Sequence, residues 1–344
     1  VRRHVTLQKG ALPNELMADV EDDKIYHSAL QRGAHGTPQE QQGIAVSLKT
    51  GHSLTYRQLK TLGPNEWLND QIINAYLGLI CEERNASMKK DVAVTLGTHF
   101  FAKVQHELLG SSDKLAVSGP LPQLTSNSGI LRWFKRKRHI LQPGATRIVL
   151  VPINLMQSHW TLAVLNWDIG TWLYYDSFLN SDLAASHGLT VLQLLAHVFS
   201  EAKRLICQDS AEGNDKGCKD NDKKNSVAGG FNGRSGSEGM HAENMAVGVQ
   251  AMPVSINDLA LVVAEPPSRY LRPSSPAGGF STAPQQENTY DCGVFVCQTA
   301  WCAAHGIAPE FNQGDMMAFR RIMLHELLLQ RLLPRLPFAT FTTW

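Results

Sequence analysis

The run Gln285-Gln-Glu-Asn-Thr-Tyr-Asp-Cys-Gly-Val-Phe-Val-Cys297 sets a polar, turn-forming segment against an apolar one, with Cys292 at the seam. Most cysteines beside apolar runs are small buried hydrophobes, and Cys297 and Cys302 fit that description. Cys292 differs because Gly293 marks a tight junction between a loop and a helix. At a helix N-terminus a thiolate is favoured by unpaired N–H groups and by the dipole. The same groups can receive an oxyanion, so the chemistry on offer is nucleophilic attack on a carbonyl.

A thiolate nucleophile needs a base, and His159 is the best placed of the thirteen histidines. It opens the strand-like run "HWTLAVLNW", which is followed by the turn residues "DIGT" and a second strand-like run, "WLYYDS". If this hairpin turns about Asp168 and Ile169, Thr161 lies opposite Asp176, and His159 falls one pleat further along on the same face. An Asp there would orient the imidazole and favour its charged form, and with it an ion pair with Cys292. A slip of one residue would put the two on opposite faces. A metal site built from Cys292, Cys297, Cys302 and His305 is not expected, because five-residue steps on a helix turn each ligand by about 140° from the last.

The elements that must position these residues are legible as periodicities. "WLNDQIINAYLGLI" spaces Leu68, Ile72, Ile73, Tyr76, Leu77 and Ile80 as one face of a helix, with Asn65 or Asn69 as N-cap. "TRIVLVPINL" is a buried strand, and "HGLTVLQLLAHVFSEAKRLI" has helical spacing. Two further helices follow, "GVFVCQTAWCAAH" and "GDMMAFRRIMLHELLLQRLL". Residues 1–43 are polar and rich in Gly, Pro and Gln, which predicts a poorly ordered tail ahead of a domain over 44–344. Residues 207–279 are predicted to be a disordered insertion, since "CQDSAEGNDKGCKDNDKKNSVAGGFNGRSGSEG" at 207–239 buries too little apolar surface to offset its ordering entropy, while the following "MAVGVQAMPVSINDLALVVAEPP" has enough apolar residues to leave open a return to the domain.

Composition narrows the class. The 344 residues are 43% hydrophobic and 18% charged with a net charge of +1, which suits a globular chain and not a whole-protein electrostatic grip on nucleic acid. There is no apolar run of membrane-spanning length and no signal-peptide core at the N-terminus. Six cysteines are too few for a disulfide-stapled secreted domain, so reduced thiols in the nucleus or cytoplasm are expected. The first residue is Val, which suggests a fragment of a longer chain. The basic run "RWFKRKR" at 132–138 reads as a solvated helix face before it reads as an import signal or nucleic-acid patch.

Six blocks in order, "WLNDQIINAYLGLI", "VLVPINL", "SHWTLAVLNWD", "YYDSF", "PQQENTYDCGVFVC" and "FNQGDMMAFRRIMLHELL", resemble the Ulp/SENP family of SUMO-specific cysteine proteases. The resemblance runs from about Leu54 to Leu333 apart from the insertion. It implies an α+β, papain-like fold with a central mixed sheet flanked by helices and the triad order His159, Asp176, Cys292. It also implies Gln286 as oxyanion donor, Trp67 and Trp160 roofing a tunnel for a Gly-Gly tail, Asp70 as a contact to the modifier, and no cofactor. Gly293 is expected to let the substrate backbone approach.

The implied activity is cleavage after the C-terminal Gly-Gly of SUMO, in precursors or in conjugates on lysines, by a monomer with no nucleic-acid or membrane partner. The alternatives are a protease for ubiquitin or another ubiquitin-like modifier, an acetyltransferase with the same triad, and a non-catalytic modifier-binding protein. Two features depart from the family pattern. Thr289 and Tyr290 stand where the family often has Gly after Asn, and the spacing from Asp176 to Cys292 is long.

Overall fold

The structure, a computed structural model, describes residues 23–110, 115, 119–178, 182–212, 256, 259–264 and 283–335. Its first half comprises α1 (Asp23–His35), α2 (Pro38–Gln42), β1 (Ile44–Ser47), β2 (Ser53–Thr55), α3 (Tyr56–Leu59), α4 (Asp70–Met88), β3 (Ala93–Thr95), α5 (His99–Leu109) and α6 (Leu131–Arg136). The second half comprises β4 (Ile148–Leu155), β5 (His159–Asn166), β6 (Thr171–Tyr175), α7 (Asp182–Glu212), β7 (Ala260–Val263), α8 (Cys292–His305) and α9 (Met316–Leu329).

The central sheet has five strands in the order β3-β4-β5-β6-β7. The inner three are antiparallel, and both outer strands pair in parallel, so the sheet is mixed. Both faces are covered, which is why β4 and β5 read as unbroken apolar runs. Alternate residues of each strand belong to different cores. Leu150, Leu162, Val164 and Leu173 join α4 and α8 in one, while Val151, Ala163, Leu165 and Trp172 join α5, α6 and α7 in the other. In the second core Phe199 of α7 stands edge-on to both Trp172 and Phe134, at 5.0 and 4.8 Å between ring centroids. Such pairs add about 0.5–1.5 kcal/mol each beyond the area they bury.

Pro152 sits in the middle of β4 and cannot donate to a ladder. Leu150 presents its carbonyl to the β3 side, where it accepts from Leu96 N at 3.0 Å. Two residues on, Pro152 points the same way, past the last β3–β4 pair at Thr95 and Leu150. The missing donor therefore falls where no strand is waiting for it.

Two expectations about order are corrected. Residues 23–42 of the predicted tail form helices. Tyr26 and Ala29 of α1 are buried, the Tyr26 hydroxyl donates to Leu62 O at 3.1 Å, and a Cβ at Gly33 would lie 2.3 Å from Tyr56 O, so α1 rests directly on α3. The linker-like "TPQE" is a capping box, with Thr37 Oγ1 accepting from Glu40 N and Glu40 Oε2 accepting from Thr37 N. Within the predicted insertion, α7 runs on to Glu212, and Ala260–Val263 becomes the fifth strand along the open edge of β6, Thr171 pairing with Ala260 and Tyr174 with Val263. An unpaired strand edge offers a ladder of donors and acceptors, and the β-branched "LVV" fits it. Residues 1–22, 213–255, 257–258 and 265–279 lie outside the described residues.

The chain after α9 is fastened through Arg335, whose side chain is 2% exposed. Its guanidinium donates to Glu326 Oε2 at 2.9 Å, Gln298 Oε1 at 2.6 Å and the Tyr76 hydroxyl at 2.5 Å, joining α9, α8 and α4. Removing one partner of such a pair leaves an uncompensated buried charge. Arg335→Ala is therefore expected to lower the unfolding free energy by about 3–5 kcal/mol in urea titration. A loss below about 1 kcal/mol would show that the Glu326 carboxylate does not depend on this partner.

Candidate active site

Cys292 is the first residue of α8 and is 1% exposed, at the point where the polar loop turns into a largely buried, apolar helix. The N–H groups of Val294 and Phe295 turn back to Asp291 O, closing the first turn of the helix under the nucleophile. His159 opens β5, and Asp176 directly follows β6, so the antiparallel pairing brings both to one end of the sheet. The observed register, Leu162 with Tyr175 and Asn166 with Thr171, is the one expected from a turn at Asp168 and Ile169.

His159 Nε2 lies 2.6 Å from Asp176 Oδ1. Asp176 is 4% exposed, and its Oδ1 also accepts from Phe178 N at 2.8 Å, which fixes the carboxylate. Cys292 lies near enough to the His159 ring to favour a charge on it. With Nε2 on the carboxylate, Nδ1 is the nitrogen left to face the thiol. Burial works against a charge on the ring, but the hydrogen bond to Asp176 and the nearby Cys292 outweigh it and raise the imidazole to about 9. At neutral pH the ring is therefore an imidazolium.

Gln286, 8% exposed, is held at both ends of its amide. Oε1 accepts from Ser177 Oγ at 2.7 Å, and Nε2 donates to Asn288 O at 2.6 Å. An amide nitrogen carries two hydrogens, so the second is the one an oxyanion could use. Its backbone N donates to Ser177 O at 2.8 Å, and the neighbouring Gln285 Nε2 donates to Asp176 O at 3.1 Å. The glutamine loop is thus stitched to the strand end that carries the orienting Asp.

Trp67 is 46% exposed, beside Leu68, whereas Trp160 is 5% exposed and donates from Nε1 to Leu68 O at 3.0 Å. The second tryptophan therefore holds up the segment that presents the first. Asp70 opens α4 behind the N-cap Asn69, whose Oδ1 accepts from Ile72 N at 2.9 Å; its own Oδ2 lies 3.5 Å from His99 Nε2. At Gly293 a Cβ would lie 2.8 Å from Leu68 Cβ, so its bareness admits this chain's own Leu68.

Three features escape sequence reasoning. Ser177 orients Gln286 from the far side of a long chain interval. Phe178, 43% exposed, puts its ring edge-on to His159 with centroids 6.2 Å apart. Arg320 is 0% exposed and reaches Asp291, the residue before the nucleophile. Its signal was present: Met316, Phe319, Met323, Leu324 and Leu327 form the buried stripe of α9, and Arg320 lies inside it. Among the described residues no group of three or more His, Cys, Asp or Glu is arranged to hold a metal ion, and no helix is long and apolar enough to cross a membrane.

Residues 66–222 and 280–332 match the family model described as "Ulp1 protease family, C-terminal catalytic domain". A sentrin-specific protease of Caenorhabditis elegans is 26% identical over 298 residues, which cover 87% of this chain and 30% of that protein. Ubiquitin-like-specific protease 1 of Saccharomyces cerevisiae is 23% identical over 275 residues, covering 80% of this chain and 29% of that one. The chain thus spans less than a third of the length of these two relatives. The fold is shared with the C-terminal Ulp1 protease domain solved in complex with Smt3, the yeast ortholog of SUMO, at a TM-score of 0.53 and 19% identity, covering 90% of this chain and 96% of that one. It is shared equally with the SUMO protease Ulp1 whose catalytic cysteine is oxidised to a sulfenic acid, at a TM-score of 0.53 and 20% identity, covering 90% and 95%.

The raised His159 value has a definite sign. It lies above the ordinary 6.5, so the stability the imidazolium contributes is fully present below that pH and is lost as pH rises through about 9. The pH dependence of Cys292 alkylation by iodoacetamide is expected to change where His159 loses its proton, at about 9. In Asp176→Asn the hydrogen bond that outweighs burial is weakened, and the His159 titration followed by NMR is expected to fall well below 9. A titration unmoved by that substitution would remove the carboxylate as the cause.

Proposed function

The chain belongs to the Ulp1 protease family, and on that premise we propose that it is a thiol peptidase cleaving after the C-terminal Gly-Gly of SUMO. Its targets would be SUMO precursors and conjugates on substrate lysines. The observation that carries the proposal is the His159 Nε2 to Asp176 Oδ1 contact of 2.6 Å, with Cys292 beside the same ring at a helix start. The choice of modifier is supported by the names of the relatives: a sentrin-specific protease, and a Ulp1 domain solved with Smt3.

In the proposed reaction the Cys292 thiolate attacks the carbonyl carbon of the terminal glycine and forms a C–S bond. Charge gathers on the carbonyl oxygen, where the Gln286 amide and the backbone N–H of Cys292 can donate. The C–N bond then breaks as the His159 imidazolium gives its proton to the departing amine. A water molecule, deprotonated by the now neutral imidazole, attacks the thioester and frees the thiol. Trp67 is 46% exposed, and its flat ring would favour backbone without side chains, as in Gly-Gly. A thiolate nucleophile of this kind suits a reducing compartment, the nucleus or the cytoplasm.

Incubation with a panel of modifier precursors extended past Gly-Gly tests the assignment. Processing of the SUMO precursor is expected. Cleavage of ubiquitin in place of SUMO would overturn the choice of modifier, and acetyl transfer from acetyl-CoA without proteolysis would overturn the reaction. Cys292→Ala is expected to lower turnover by on the order of 10⁴-fold or more while leaving modifier binding intact. Gln286→Ala is expected to lower kcat by about 10²–10³-fold; an unchanged kcat would take the glutamine out of the oxyanion hole.

A further inference from the structure

A guanidinium with no exposed surface lies behind the nucleophile. Arg320 Nε donates to Asp291 Oδ1 at 2.9 Å, and Nη2 lies 2.7 Å from the same oxygen. Nη2 also donates to Glu66 O at 2.7 Å and Tyr290 O at 3.2 Å, and Nη1 donates to Thr61 O at 3.0 Å and Gly63 O at 2.9 Å. Every nitrogen of the fork is used. The other oxygen of Asp291 accepts from Asn288 Nδ2 and Gln313 Nε2, both at 2.7 Å. Asn288 then caps the loop by accepting from the N–H groups of Tyr290 and Asp291, and its carbonyl accepts from Gln286 Nε2.

One side chain therefore joins two separate segments. The first is the loop from Gln286 to Cys292, which carries the oxyanion amide and the nucleophile. The second is the stretch from Thr61 to Glu66, which leads into Trp67. Neither segment is in regular secondary structure between Gly63 and Asn69 or between Gln286 and Asp291, so no ladder or helix fixes their spacing. A lysine could replace the charge but not the planar fork that reaches carbonyls on both sides.

We infer that Arg320 is a positioning residue for catalysis: through Asp291, Tyr290 and Glu66 it sets the placement of Cys292 against His159 and against the Trp67 segment. It touches no substrate. Its effect would run through the geometry of the nucleophile, where a displacement of about 1 Å can change a rate about 10²-fold. The inference rests on Cys292 being the reactive thiol assigned above, but not on which modifier is cleaved.

The test uses the whole chain with Arg320→Lys, and the primary readout needs no protein substrate. The rate of Cys292 alkylation by iodoacetamide, per molecule of folded protein by circular dichroism, is measured across pH. It is expected to fall about tenfold near neutral pH, and its alkaline limit is expected to move below that of the wild type, because a displaced Cys292 no longer supports the His159 charge. Turnover of modifier precursor should fall in kcat with KM nearly unchanged. A role confined to stability would lower the melting temperature and leave the alkylation rate and its pH profile within about twofold of wild type, and that result overturns the inference. If Arg320→Lys does not fold, Asp291→Asn keeps the shape and the four carbonyl contacts while removing the charge pair, and the same pair of outcomes decides. Failure of wild type to cleave any modifier precursor would overturn the proposed function and leave the alkylation comparison standing.

Discussion

The site depends on strand register. His159 and Asp176 stand seventeen residues apart in sequence, and only the pleat of two antiparallel strands brings them to hydrogen-bonding distance. Side chains alternate between faces with a period of two, so the pair exists in one register and is absent in the neighbouring one. Register is in turn fixed by burial. Ala163, Leu165, Trp172 and Tyr174 must face one core, and Leu162, Val164, Leu173 and Tyr175 the other. A slip would exchange both sets at once. The hydrophobic cores thus hold the imidazole to its carboxylate far more firmly than that one hydrogen bond could.

The opposite design governs the nucleophile. Cys292 lies at the end of an irregular loop, where no ladder sets its place, and there the chain uses buried charge. Asp291 is held by an arginine that is wholly buried, and both are surrounded by further hydrogen bonds. Buried pairs of this kind add little net stability compared with well-packed apolar residues, but breaking one is heavily penalised. They therefore specify a geometry more than they stabilise a fold. Met156 and Gln157, just ahead of His159, show the same willingness to accept strain near the site: both have positive φ, 48° and 56°, in the three-residue turn between β4 and β5, a conformation that favours Asn and Gly.

What was legible in the sequence follows from the range of each interaction. Register, the α4 stripe and the start of α8 are local patterns, so the triad of His159, Asp176 and Cys292 could be placed in advance. The partners of Gln286 and Cys292's loop are not local. Ser177 is separated from Gln286 by 109 residues, and Arg320 from Glu66 by 254. No periodicity announces such pairings, although an arginine inside the apolar stripe of α9 was a visible oddity. Composition misled at α1 and α2, where "TPQE" carried a helix-start signal inside a stretch that otherwise read as linker. It misled at β7 for a related reason, since a four-residue edge strand gains its stability from a neighbour the sequence does not display. The closeness of Gly293 to Leu68 is likewise a long-range contact that no local pattern displays.

The same long-range stitching explains how the fold tolerates a long interval between its orienting Asp and its nucleophile. The chain leaves the site at Asp176 and Ser177 and returns to the same two residues at Gln285 and Gln286, through Gln286 N to Ser177 O, Ser177 Oγ to Gln286 Oε1, and Gln285 Nε2 to Asp176 O. The interval between them, which includes α7 and β7, is thus closed at both ends. The entropy of closing such a loop grows only with the logarithm of its length, about 0.6 kcal/mol for each doubling. Three hydrogen bonds, each worth about 1 kcal/mol net, are enough to offset several doublings. Length inserted between α7 and Ala283 therefore adds almost nothing to the cost of assembling the site, provided Ser177 and the two glutamines remain.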